Sequence, residues 1–89
     1  MAIVSFTSHL RRVAPSAPVK TAAATLRAAL ATLAPAHPML TPYLVDDQGR
    51  LRKHVAVFVD GALAPRAQAL DLPIGEAAEV HVMQALSGG

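Results

Sequence analysis

The 89-residue sequence has no cysteine and no tryptophan, and its aromatic residues are one tyrosine and two phenylalanines. Without thiols there can be no disulfide framework, thiolate nucleophile, iron–sulfur cluster or cysteine zinc site. The four histidines, His9, His37, His54 and His81, stand 28, 17 and 27 positions apart. No two share an i+2 or i+4 spacing, so they read as scattered surface side chains and not as metal ligands. No G-x-x-x-x-G-K-[ST] loop is present to cradle a nucleotide's phosphates. Thr7, Ser8, Ser16 and Ser87 have no visible partnership with a histidine and an acid, so nucleophilic catalysis is not expected.

Charge is sparse as well. Charged residues make up 16% of the chain and the net charge is +2. The cations are spread as Arg11-Arg12, Lys20, Arg27, Arg50, Arg52-Lys53 and Arg66, with too few aromatics to interleave, so nucleic acid is not an expected partner. The longest apolar stretch, Ala28 to Ala36, is too short to span a bilayer, and no membrane association is expected. Arg11-Arg12 precedes an alanine-rich region that Pro15, Pro18, Lys20 and Arg27 interrupt, which is unlike an export signal. A cytoplasmic location is the expectation.

Hydrophobic residues make up 53% of the chain, enough for one small core. Ala2 to Thr7 carries β-branched and aromatic residues without a breaker and predicts a strand buried on at least one side. Ser8 to Pro18 reads as a connection anchored by Leu10 and Val13, and Val19 to Ala22 as a short edge strand. Two residues are candidate helix caps, Ser16 and Thr25, each offering a side-chain oxygen to the unpaired first amides. Leu26, Ala29, Leu30 and Leu33 fall on one helical face, and Pro35 and Pro38 end the helix. Met39 to Tyr43 is a proline-interrupted connection, and Tyr43-Leu44-Val45 a short strand.

Asp46-Asp47-Gln48-Gly49 has turn chemistry, and Lys53 to Val59 carries the strongest strand signal, closed by Asp60-Gly61. Its alternation places Val55, Val57 and Val59 on one face and His54, Ala56 and Phe58 on the other. Ala62 to Ile74 reads as irregular, with a short turn around Ala67 to Leu70 and with Leu70 and Leu72 plugging the core. Gly75 to Ala78 turns into a last strand, Val80 to Leu86. One helix thus covers one face of one mixed sheet whose first and last strands are central and parallel, an α+β layout of the β-grasp kind. The expected organisation is a single domain over residues 1–86 and a flexible tail over residues 87–89.

Arg50 to Gly61, then Leu70-Asp71-Leu72-Pro73-Ile74, Glu79-Val80 and a final Gly88-Gly89 together resemble the ubiquitin-like sulfur carriers of the MoaD/ThiS type. Leu10-Arg11 and Thr25-Leu26 also resemble the longer carriers of cysteine biosynthesis. Two features depart from the family pattern. Asp60-Gly61 stands where Asn-Gly is common, and Glu76-Ala77-Ala78 where an Asp-Gly-Asp turn is usual.

The resemblance implies that Gly89 is the reactive residue, borne on the narrow tail Ser87-Gly88. An enzyme of the ubiquitin-activating kind would adenylate its carboxylate with ATP, and a sulfur donor would then leave a thiocarboxylate. A downstream synthase of molybdopterin, thiamine or cysteine biosynthesis would accept the sulfur. The chain itself would bind no cofactor and catalyse nothing. Alternation proposes the docking surface: with Val80 and Val82 turned to the helix, His81, Met83 and Ala85 face outward near Phe58, and the expected partner surface comprises Phe58, His81, Met83 and Leu86. The alternative for Phe58 is packing beneath a loop. Two other functions fit the same residues, a modifier conjugated through Gly89 and a β-grasp interaction module with an inert tail.

Overall fold

The first and last apolar runs become neighbouring strands in the computed structural model, which describes residues 1–84. The elements are β1 (Ala2–Phe6), β2 (Val19–Thr21), α1 (Leu26–Leu33), α2 (Leu40–Leu44), β3 (Val55–Val59), β4 (Ala62–Leu63) and β5 (Glu79–Gln84), with one 3₁₀ turn at Ser8–Leu10. The five strands form one sheet in the order β2-β1-β5-β3-β4. β1 and β5 run parallel, Val4 opposite Val80 and Phe6 opposite Val82. The other pairings are antiparallel. Both expected central strands therefore lie inside the sheet, and β2 forms one edge as its short run implied.

Strand alternation builds the core. Val4, Val55, Val57, Val80 and Val82 are buried on one face of the sheet, and Leu26, Ala29 and Leu30 of α1 are buried with them. Leu10 and Leu70 are buried in the core, and Val13, Leu33 and Leu72, only partly buried, pack against it. Of the two candidate caps, Thr25 is the one used: its backbone is extended and its hydroxyl accepts the Ala28 amide at 3.1 Å.

Two expectations are corrected. Tyr43-Leu44-Val45 is not a strand: Leu40–Leu44 is a second short helix, α2, and only Val45 forms an isolated bridge, to Leu51. Pro42 read as a breaker, but it falls in the helix's first turn, where the amide it lacks would have no intrahelical acceptor. Leu40 and Leu44 are then both fully buried, one turn apart.

The second correction concerns residues 62–74. Ala62–Leu63 is an edge strand paired with Val59 and Phe58. Asp60 and Gly61 form the two-residue loop between them, with φ of 51° and 86°, the positive pair that a twist-matched hairpin requires and that Asp and Gly tolerate. Asp60 also fastens this loop to β5. Its amide donates to the Glu79 carbonyl at 2.8 Å, and its carboxylate accepts the Glu79 amide at 2.9 Å.

The turn that departs from the family pattern closes through the Ala78 amide and the Gly75 carbonyl, 3.1 Å apart. Among the described residues no helix is long and apolar enough to cross a membrane.

Candidate functional site

β5 carries the chain toward its C-terminus, and its neighbours decide what surrounds that exit. Val80 and Val82 face the core and are fully buried, which places Glu79, His81 and Met83 on the other face. Registers then assemble a row across four strands: Ser5 on β1, His81 on β5, Phe58 on β3 and Leu63 on β4. Met83 lies one row on, opposite Ala56. The sheet thus brings together Phe58, His81 and Met83 as the alternation implied.

Exposure within this group is uneven. His81 is exposed and Phe58 and Met83 are half-buried. Phe58 is neither a bare apolar knob nor a core side chain, because cross-strand partners flank it on both sides. Leu63, at 62% exposure, is the most open large apolar side chain of the row. Sequence reading missed it. The signal was present in Asp60-Gly61, since a two-residue turn of that composition predicts a returning strand and Leu63 is the partner of Phe58 across it.

The end of β5 has a second missed neighbour. Gln84 pairs with Val55, and the Tyr43 hydroxyl on α2 donates to Gln84 Oε1 at 3.1 Å. The ring of Tyr43 also meets His54 edge to face, with centroids 5.1 Å apart. Tyr43 therefore braces the last described residue against the start of β3. Only the presence of α2 puts it there, and once Tyr43 was read as a strand residue nothing in its own type pointed to β5. Leu86, Ser87, Gly88 and Gly89, and the expected last residues of β5, lie outside the described residues.

Among the described residues no group of three His, Cys, Asp or Glu side chains could hold a metal ion. Two carboxylates carry electrostatic structure, Asp46 in the expected turn and Asp71 in the segment before Pro73. Asp46 is held below the usual carboxylate range, chiefly by the Arg50 amide. Its Oδ1 accepts both that amide and the Gln48 amide at 2.9 Å. Asp71 is lowered in the same way by its hydrogen bonds from the Arg27 guanidinium.

The ThiS family model matches residues 4–89. No curated protein matches the sequence. Among solved structures, SAMP1 from Haloferax volcanii, a small archaeal modifier protein, is 27% identical. The alignment covers 99% of this chain and 98% of that one, with a TM-score of 0.74. CysO in the Amycolatopsis orientalis BexX/CysO complex is 19% identical over the whole of both chains, with a TM-score of 0.82. Mycobacterium tuberculosis CysO, an antigen, is 21% identical over 97% of this chain and 100% of that one, with a TM-score of 0.81. At that identity the two CysO structures bear on the fold alone.

Proposed function

The chain belongs to the ThiS family, and on that footing we propose that it is a ubiquitin-like sulfur carrier whose Gly89 carboxylate is activated by a partner enzyme and converted to a thiocarboxylate. One observation carries this reading: the family match continues through the final Gly88-Gly89. The partner acts because a carboxylate resists attack, its negative charge repelling nucleophiles and its oxygens being poor leaving groups. Attack of the Gly89 carboxylate on the α-phosphorus of ATP releases pyrophosphate and forms an acyl-adenylate. A sulfide donor then attacks the acyl carbon, AMP departs with the bonding electrons, and sulfur remains on Gly89.

ATP and the adenylating machinery belong to the partner, since this chain has no phosphate-binding loop and no cysteine to relay sulfur. The carrier acts as protein co-substrate in the cytoplasm, and a downstream synthase takes the sulfur. Recognition falls to the row that carries Phe58 and His81, with Met83 beside it and Leu86 further along the chain.

Intact mass tests the reading. After incubation with ATP, sulfide and an activating enzyme, the chain is expected to gain about 16 Da, the difference in atomic mass between sulfur and oxygen. The SAMP1 likeness favours a second reading, a modifier joined through Gly89 to lysines. In that case conjugates of higher mass appear in place of the small gain. No change in either form would leave the chain an interaction module.

The docking row makes its own prediction. Phe58→Asp is expected to raise the KM for the activating enzyme about tenfold or more, the scale of a central interface side chain. Because Phe58 is only half-buried, the thermal midpoint should fall by no more than a few degrees. An unfolded variant would make Phe58 a core residue after all.

A further inference from the structure

The eight cations look dispersed along the chain, yet five of them, Arg27, Arg50, Arg52, Lys53 and Arg66, line one cleft of about 900 Å³. It opens between the first turn of α1, the segment 46–54 and the turn 66–71. Two carboxylates share it, Asp46 and Asp71, so the cleft stands at +3. The remaining three cations and four carboxylates leave the rest of the chain at −1, within a total of +2. The mild net charge therefore conceals a polarised molecule. None of Phe58, His81 and Met83 lines this cleft.

Both carboxylates are already engaged. Asp71 takes the Arg27 guanidinium at 2.8 and 3.0 Å. Asp46 accepts two backbone amides and faces Arg50 at 3.6 Å. The other guanidiniums are held by neutral carbonyls, which fix their position and leave their charge uncompensated. Arg52 Nε donates to Pro42 O at 3.0 Å, and Arg66 donates to the carbonyls of Arg52 and Val55. Arg27 adds a bond to Gly49 O at 2.9 Å. Lys53 has no ion-pair partner among the described residues.

We propose that this cleft is a docking site for an acidic peptide segment of a protein partner, separate from the outer sheet row. Three of its guanidiniums, those of Arg27, Arg52 and Arg66, are tethered to different backbone carbonyls and so are each held at a separate anchor, a pattern that matches carboxylates borne on successive side chains. A single phosphate would need donors converging on one point. A single-stranded nucleic acid would need aromatic platforms, and His54 is the one ring among the lining residues. The buried leucines Leu51 and Leu70 in its wall offer apolar contact to the partner's side-chain stems.

The test uses the ¹⁵N-labelled chain and an octaglutamate peptide, with octaglutamine and inorganic pyrophosphate as comparisons. Octaglutamate is expected to shift the amides of residues 49–53, 66 and 67, and to leave those of Phe58 and His81 in place. Raising salt from about 50 to 300 mM should weaken binding about tenfold, because exposed charges several ångströms apart are screened at that ionic strength. The double variant R50Q/K53E carries no change at the carbonyl-anchored arginines and removes the excess charge. It should lose about tenfold or more in affinity while keeping the wild-type spectrum outside the 46–54 segment. Absence of cleft shifts, an equal response to octaglutamine, tighter binding of pyrophosphate than of the peptide, or an unchanged affinity in the double variant would each overturn the proposal. None of these outcomes depends on whether Gly89 is activated.

Discussion

Deleting Gly89 is expected to abolish the gain of about 16 Da on treatment with ATP, sulfide and the activating enzyme, while the thermal midpoint moves by less than about 2 °C. The reacting atom in the proposed chemistry is a terminal carboxylate. Removing one residue withdraws it by about 3.3 Å. Since a misplacement near 1 Å at a reacting centre can cost about 100-fold in rate, the loss should be complete on the assay's scale. Adding one alanine after Gly89 should have the same effect, because it carries the carboxylate past the reacting position. Stability should be indifferent to both changes. The buried cluster of the described residues ends at Val82 and the last described ladder pair joins Val55 to Gln84, and both variants leave every one of those residues in place. A truncated chain that still gains the mass would remove Gly89 from the mechanism. An intact chain that gains nothing under the same conditions would remove the carrier reading itself.

The largest expected effect on stability comes from Leu30→Ala. Leu30 is 1% exposed on the face of α1 that covers the sheet. Truncating a leucine so placed costs about 2–5 kcal/mol, the lost transfer free energy plus the cavity left behind. A domain of this length has roughly 4–13 kcal/mol in total, so the variant forfeits a large fraction of its stability. At about 4–8 °C per kcal/mol for a domain of this size, the midpoint should drop by about 10 °C or more. Leu63→Ala makes the contrast: with 62% exposure it should cost less than about 0.5 kcal/mol. Equal losses in the two variants would mean that the helix and sheet do not share the core described above.

Much of this arrangement can be read from residue order. The alternation of Val55, Val57 and Val59 against Ala56 and Phe58 correctly separates the two faces of β3, because successive side chains in an extended chain must point opposite ways. Val80 and Val82 do the same for β5, and so His81 and Met83 could be assigned to the outer face. Thr25 and Ser16 show where that kind of reading stops. Both offer the same oxygen to a helix start, and the choice went to Thr25 because the helix beginning there buries Leu26, Ala29 and Leu30 against the sheet. Tyr43 failed for a related reason: its segment reads as extended beside Pro42, yet burial of Leu40 and Leu44 one turn apart favours a helix.

The inner surfaces of the strands, the turns at Asp46 to Gly49 and Asp60-Gly61, and the stripe on α1 follow from backbone preference and side-chain period, which act over a few neighbouring residues. Where the charges meet does not follow in that way. Arg27, Arg50, Arg52, Lys53 and Arg66 come from three separate stretches, and no period or propensity relates them. The packing of α1, the 46–54 segment and the 66–71 turn around one cleft brings them together. Likewise Ser5, His81, Phe58 and Leu63 become one row only through the registers of four paired strands. Contacts between residues far apart in the chain are settled by which apolar faces bury each other, and the polar side chains on those elements go wherever that burial carries them.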